Sequence, residues 1–172
     1  MEQKKCRECG RPLKDPKYDL CYDCSQKRKS GFPNPSASVE LPKDCVFTTF
    51  YASDSSTSLR REIYVESARK MADLLSKTSP PMTQASIRNL FGMLVQMEQR
   101  IKGGISVPKT DEVDECYFTF IRQCQYQKGR KVIPELFTQF AEAHLETVQG
   151  SPKEFRGFVE YLRSMLAYMK TK

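Results

Sequence analysis

The sequence predicts an all-α fold, with a bundle of about five helices preceded by a small cysteine-rich module. From about residue 59 onward, apolar residues recur at spacings of three and four, which is the pattern of amphipathic helices. No stretch alternates polar and apolar residues for long, so we expect no substantial sheet. A chain of 172 residues is long enough for one bundle with a real core and one small module.

Four of the seven cysteines form two closely spaced pairs near the N-terminus, Cys6-x-x-Cys9 and Cys21-x-x-Cys24. A pair spaced in this way places two sulfur atoms on one tight turn, and two such turns complete a tetrahedral site of four sulfur ligands. This is the preferred geometry of structural zinc, and it leaves no open position for catalysis. We therefore expect residues 1–29 to form a zinc-ribbon or treble-clef-like module around one zinc ion.

Residues 30–58 have the composition of a linker, because Pro33, Pro35 and Pro42 punctuate a serine-rich stretch. One part of this stretch differs. The segment 45–51, Cys-Val-Phe-Thr-Thr-Phe-Tyr, is β-branched and aromatic, so we expect it to dock onto a neighbouring surface in extended form. The expected domains are the metal module at 1–29, the linker at 30–58 with its docking segment at 45–51, and the helical bundle at 59–172.

Proline, glycine and capping residues delimit the five predicted helices. Acidic residues at 111–115 suit the positive end of a helix dipole. The run Ser151-Pro152-Lys153-Glu154 forms a capping box with proline in the first helical position. In chain order, the expected boundaries are about residue 59 to Pro80, Thr83 to Gly103, Asp111 to Gly129, Pro134 to Gly150, and Ser151 to the C-terminal end. On the fourth helix, we expect His144 at the edge of the core and not as a metal ligand.

The composition narrows the class of function. The net charge of +7, from 28 basic and 21 acidic residues, favours an anionic partner such as nucleic acid. A single histidine excludes sites that need two or more, and the sequence has no phosphate-binding loop, dinucleotide loop or paired-carboxylate site, so we expect no enzyme. No apolar run is long enough for a membrane span and no secretory signal precedes Cys6, so we expect a cytoplasmic protein without a disulfide framework.

Two basic clusters are candidate contacts with nucleic acid. Residues 122–131 carry four cations and no acid, with Tyr126 and three glutamines between them, and such side chains can hydrogen-bond phosphate and sugar oxygens. The second cluster contains Arg88, Arg100 and Lys102. Neither cluster has the features of a base-reading helix, so the contacts would follow the nucleic-acid backbone and be independent of sequence. The alternative is a solvated helix face, with the aliphatic part of Arg88 lying along the apolar stripe.

Four segments of the bundle region carry a likeness to a known family. They are the helix start at 81–91, with Thr83 and Ile87-Arg88; the basic motif at 122–131, with Tyr-x-x-Gly-Arg at 126–130; the stretch Phe-Arg-Gly-Phe-Val-Glu-Tyr-Leu at 155–162; and Ala-Tyr-Met-Lys at 167–170. Together and in this order, they make residues 59–172 resemble the small helical subunit of type III-A CRISPR effector complexes, the Csm small subunit. Residues 1–58 are not part of that pattern.

The resemblance implies a compact all-α subunit without catalytic activity, of which several copies line a filament built on guide RNA and support target binding in antiviral defence. The implied partners are guide RNA, target RNA, the repeating backbone subunit, the large subunit and further copies of the same chain. The resemblance assigns RNA-backbone contacts to matching positions, and charge alone adds one more lysine. The residues assigned are Arg88, Lys128, Arg130 and Lys131, then Arg122 and Tyr126, with Lys102 added from charge.

Two alternatives stay open from the residues themselves. One is a zinc-finger DNA-binding transcriptional regulator in which the helical bundle is a dimerisation domain. The other is a zinc-dependent protein adaptor with no role in nucleic-acid binding. The first predicts a preferred duplex DNA sequence, and the second predicts no salt-sensitive binding of RNA.

Overall fold

The computed structural model describes residues 5–13, 17–29, 40–53, 55–103 and 110–169, and it includes their side chains except at 26–29 and 101–103. The chain divides into two compact units, Met1–Ser38 and Val39–Lys172. The predicted division into module, linker and bundle domain stays a prediction. The first ten residues of the predicted linker, at 30–39, lie outside the described residues.

The prediction of an all-α fold is confirmed, because the described residues contain seven α-helices and no strand. The helices are α1 (Tyr22–Lys29), α2 (Glu66–Lys77), α3 (Gln84–Gly103), α4 (Thr110–Gly129), α5 (Glu135–Ala143), α6 (Leu145–Val148) and α7 (Pro152–Tyr168). Two short 3₁₀ turns, Lys43–Cys45 and Arg61–Ile63, precede α2. None of the helices in the described part of the chain is both long enough and apolar enough to cross a membrane.

Local capping explains where two of these helices begin. The Thr83 hydroxyl accepts a hydrogen bond from the Ser86 amide at 3.1 Å, directly before α3. The Ser151 hydroxyl accepts one from the Glu154 amide at 3.2 Å, and Pro152 is the first residue of α7. The first predicted helix begins later than expected, at Glu66, and Tyr64 before it is exposed.

The fourth predicted helix is interrupted at His144, which separates α5 from α6. Its imidazole is fully buried, and the Nδ1 atom lies 2.8 Å from the Phe140 carbonyl oxygen. The Phe47 amide donates a hydrogen bond to Nε2 at 3.2 Å, which assigns the proton to Nδ1. Burial lowers the pKa of His144 to about 4, so the ring is neutral at pH 7. His144 is therefore a core residue and not one at the edge of the core.

Helix α7 lies at the centre of the Val39–Lys172 unit, where it packs against α2, α3, α4 and α6. Its buried side chains include Phe155, Phe158 and Tyr161. These rings join a cluster of aromatic side chains from α4 and α5, in which Tyr117 and Phe158 have ring centroids 5.2 Å apart. Aromatic pairs in this range contribute beyond their buried area.

The segment 45–51 packs on α7 within the same compact unit. Phe50 is fully buried, and its amide donates a 2.8 Å hydrogen bond to the Glu154 carboxylate. The Thr49 hydroxyl donates to the other oxygen of Glu154 at 2.8 Å. Gly157 leaves room for Phe50, because a Cβ added at Gly157 would lie 2.5 Å from the Phe50 Cβ. The segment therefore completes the core against a face of α7 that only glycine leaves open.

Candidate functional site

The four cysteines of the predicted metal site come together in the Met1–Ser38 unit. The Sγ atoms of Cys6, Cys9, Cys21 and Cys24 all lie within 4.8 Å of one another, and those of Cys9 and Cys21 are 3.6 Å apart. A tetrahedral ion with metal–sulfur bonds of about 2.3 Å separates its sulfur ligands by about 3.8 Å. The cluster therefore has the dimensions and the donor set of a four-sulfur metal site.

Backbone hydrogen bonds shape the first cysteine turn. The Cys6 amide donates to the Arg11 carbonyl at 2.8 Å, and the Gly10 amide donates to the Cys6 carbonyl at 2.9 Å. Gly10 has φ of 70°, a left-handed conformation that glycine adopts without steric cost. The Cys21 amide donates to Cys6 Sγ at 3.3 Å, so the two pairs are joined directly. Because Cys24 lies in the first turn of α1, the arrangement is a knuckle followed by a helix.

The thiols of Cys6 and Cys24 differ in their ionisation. Donation from the Cys21 amide is the main cause that lowers the pKa of Cys6 to about 6. The neighbouring Cys21 thiol and then burial raise the pKa of Cys24 well above its usual range. Adjacent thiolates repel one another, and a divalent ion removes that repulsion by coordinating all four. These residues therefore fit a structural metal such as zinc.

The core of the module consists largely of the clustered cysteines. Its buried hydrophobic residues are Cys6, Leu13 and Cys24, with Leu20 and Cys21 packed against them. Such a small apolar cluster cannot stabilise a fold by burial alone. A metal held by the four thiolates would supply the missing folding free energy.

The C-terminal end of α4 has a specific backbone geometry. The Val132 amide donates to the Gln127 carbonyl at 3.0 Å, and the Lys131 amide donates to the Lys128 carbonyl at 2.9 Å. These two bonds form a Schellman motif, which requires a left-handed residue at Lys131, where φ is 57°. Glycine normally occupies that position, because a side chain there costs about 1 to 2 kcal/mol. Lysine therefore occupies a strained position at the end of the basic segment.

Most of the predicted RNA contacts in 122–131 lie around this turn. Arg130 and Lys131 are exposed, and the Arg130 guanidinium lies 5.5 Å from the centroid of the Tyr126 ring. Lys128 is half-buried, and its Nζ lies 3.8 Å from the Glu135 carboxylate. We call the group Tyr126, Lys128, Arg130 and Lys131 the α4 terminal cluster.

Arg122 occupies a different environment from the α4 terminal cluster. It lies two helical turns before Arg130, about 12 Å away along the axis. There it lines a shallow hollow with acidic side chains and Phe118, which is 48% exposed. The acidic residues of this hollow are Asp111, Asp114 and Glu115. Arg122 thus shares its hollow with three acidic residues, whereas Lys128 of the α4 terminal cluster lies near one, Glu135.

The second predicted cluster is divided along α3. The Ser86 hydroxyl donates to the Val132 carbonyl at 3.4 Å, which places the first turn of α3 beside the turn that ends α4. Arg88 is exposed and lies two residues after Ser86 in α3. The backbone of Lys102 is in the last turn of α3, about 21 Å from Arg88 by helical rise, while its side chain lies outside the described residues.

The metal module has an exposed aromatic residue that the sequence analysis did not single out. Tyr18 is 63% exposed and lies in the loop before Cys21. The signal available in the sequence was a tyrosine next to a cysteine pair, in a module too small to bury it. Elsewhere, Cys45 and Cys124 are buried, whereas Cys116 is only partly buried.

A family model described as Csm2 Type III-A matches residues 59–172, which are about two thirds of the chain. No curated protein and no solved structure matches the chain. The matched range contains α2 to α7 and all seven residues that the sequence analysis assigns to RNA contacts. The four cysteines of the metal module and the segment 45–51 lie outside the matched range.

Proposed function

This chain belongs to the Csm2 type III-A family, and we propose that it is a non-catalytic, RNA-binding structural subunit of a type III-A CRISPR ribonucleoprotein. In this role it contacts the backbone of the guide RNA and target RNA and supports target binding in antiviral defence. Its protein partners are the repeating backbone subunit, the large subunit and further copies of itself. We place it in the cytoplasm, with one structural zinc ion held by Cys6, Cys9, Cys21 and Cys24.

The α4 terminal cluster is the observation that carries this proposal. Its cations lie beside an exposed tyrosine, which suits contact with phosphate and sugar groups. Lys131 adopts a left-handed backbone conformation that glycine adopts at a lower cost in free energy. A strained residue of this kind often has a function that offsets the strain. Arg88 is exposed two residues after Ser86, near the start of α3, and belongs to the same proposed set. Lys102 and Arg122 complete the proposed set, at the far end of α3 and beside the acidic hollow.

Three side chains of the helical unit that could act as a base or a nucleophile, His144, Cys45 and Cys124, are buried, which favours a structural role for the protein. His144, the single histidine of the chain, is buried with both ring nitrogens engaged. Burial raises the pKa of Cys45 to about 11 and that of Cys124 to about 12. Neither thiol is therefore a nucleophilic thiolate at neutral pH.

A salt titration of RNA binding tests the proposal. The full chain is titrated with an A-form RNA duplex at several salt concentrations, and the slope of log affinity against log salt is measured. Arg130→Ala and Lys131→Ala are each expected to reduce the slope by about one. Lys43→Ala removes an exposed lysine beside α2 and is expected to leave the slope unchanged.

Two results would contradict the proposal. If Arg130→Ala and Lys131→Ala leave RNA affinity and its slope at the wild-type values, the assigned contact residues are wrong. If the chain prefers one duplex DNA sequence and is a stable homodimer, the zinc-finger regulator becomes the better interpretation. A pull-down of the assembled complex with sequencing of its RNA would separate these cases, because a CRISPR subunit co-purifies with short RNAs that share a repeat-derived tag.

A further inference from the structure

The metal module carries a polar hollow on its surface, next to the metal ligands. The Arg7 amide donates to the Asp19 carbonyl at 3.0 Å, which holds the first cysteine turn against the loop that precedes Cys21. Tyr18 lies in that loop with its ring 63% exposed. The hollow is lined by Arg7, Glu8, Tyr18, Asp19, Leu20 and Ser25. It therefore combines an aromatic face with a guanidinium group and two carboxylates.

The charges that line the hollow do not favour a phosphate group. One cation, Arg7, and two acids, Glu8 and Asp19, are among its lining residues. Arg11 is engaged by Asp23 at 3.3 Å. Four thiolates around one divalent ion add further negative charge. Attraction of phosphate is thus weak here, in contrast to the α4 terminal cluster, and an RNA ligand would have to be held through its bases.

The lining of the hollow matches the edge of a nucleobase better than an apolar side chain of a protein partner. Leu20 is the one aliphatic side chain among its lining residues, whereas protein hot spots bind in apolar, desolvated pockets. An exposed tyrosine ring stacks on bases, and this stacking tolerates any base because each has a π-face. Arginine donates to acceptors such as O6 and N7 of guanine, and carboxylates accept from amino groups of bases.

We propose that this hollow binds one unstacked base of single-stranded RNA, with guanine preferred, and that Tyr18 is the stacking platform. Guanine alone among the RNA bases combines two adjacent acceptors, O6 and N7, which match the paired N–H groups of Arg7, with two adjacent donors, N1–H and N2–H, which match a carboxylate of Glu8 or Asp19. The proposal rests on the proposed function, which supplies the RNA. It adds a second site, in the module outside the family match, for a single strand instead of a duplex.

The test uses the full chain and fluorescently labelled single-stranded RNAs, one all uridine and one with a single guanosine among uridines. The wild type is expected to bind the guanosine-containing strand more tightly. Tyr18→Ala and Tyr18→Leu should each weaken that binding by at least about fivefold, with no change in its salt slope, because neither variant removes a charge. Tyr18→Phe should retain the affinity, because it keeps the ring.

Tyr22 provides a matched control in the same module. It is 76% exposed, but it begins α1 and does not line the hollow, so Tyr22→Ala should bind like the wild type. The metal content of each variant is measured as well. If Tyr18→Ala loses metal, Tyr18→Leu, which keeps the apolar bulk, decides the test.

The outcomes separate this proposal from the proposed function. Equal binding of the two single strands by the wild type, or full affinity in Tyr18→Leu, would overturn the base-binding hollow. The duplex-binding slope tests the α4 terminal cluster independently, and Arg130→Ala should lower it without changing the guanosine preference. If Arg130→Ala keeps both the guanosine preference and the wild-type duplex slope, only the assignment of RNA contacts to the α4 terminal cluster is overturned.

Discussion

Replacing Lys131 with glycine should stabilise the fold and weaken RNA binding at the same time. Lys131 has φ of 57°, where a side chain costs about 1 to 2 kcal/mol relative to the right-handed helical region. Glycine removes that cost but loses about 0.5 to 1 kcal/mol more backbone entropy on folding. The expected net gain in the free energy of unfolding is about 0.5 to 1 kcal/mol. The same change removes one exposed cation of the α4 terminal cluster.

Urea unfolding followed by the helical circular dichroism signal measures the stability, and the duplex salt titration measures the RNA contact. With an m value of about 2 kcal/mol/M, the midpoint should rise by about 0.25 to 0.5 M urea. Lys131→Ala is the matched control, because it removes the same charge but keeps the Cβ, so its midpoint should not rise. A lower midpoint in Lys131→Gly would refute the strain argument, and an unchanged duplex slope would refute the contact.

Three further predictions concern the core and the metal. Gly157→Ala should lower the free energy of unfolding by about 1 to 3 kcal/mol, because its Cβ would overlap Phe50, and a rise in the urea midpoint would contradict this packing. Substituting serine for Cys6 and Cys9 should abolish the bound metal, about one ion per chain in the wild type, as measured by elemental analysis; full retention would exclude the site. Lowering the pH from 7 to 5 should cost about 2 kcal/mol of stability, because the unfolded chain protonates His144 near its ordinary pKa of about 6.5 whereas the buried ring, with a pKa of about 4, stays neutral. His144→Gln should remove most of that pH dependence in urea titrations.

The features that the sequence predicted well depend on neighbouring residues. Thr83 and Ser151 cap the helices that follow them, because a hydroxyl reaches an amide three residues away. The four cysteines meet because each pair shares one turn. The break at His144 could not be predicted in the same way, because its imidazole accepts from Phe47, which is 97 residues earlier in the chain.

The candidate RNA contacts were also predicted only in part, because the fold separates residues that are neighbours in the sequence. The stretch 122–131 contains four cations in sequence, but helical geometry turns Arg122 toward the acidic residues at 111–115 and groups the others around the end of α4. The four-residue spacing of Asp114, Phe118 and Arg122 could have indicated that Arg122 shares a helix face with acidic residues. The predicted end of the helix at Gly129 agrees with the end of α4, whereas nothing in the sequence indicated that Lys131, two residues later, is the left-handed residue of a Schellman motif.

Glu154 explains why the folded unit is larger than the region that the family model matches. Its position after Ser151 predicts a reciprocal capping box, but its carboxylate accepts hydrogen bonds from Thr49 and Phe50. Without residues 39–58 this partly buried carboxylate would lose both donors, and the face of α7 at Gly157 would lose the ring that covers it. Burying an aromatic side chain of this size contributes about 3 kcal/mol or more. The matched region, residues 59–172, therefore contains the helices but depends on the preceding segment to close their core.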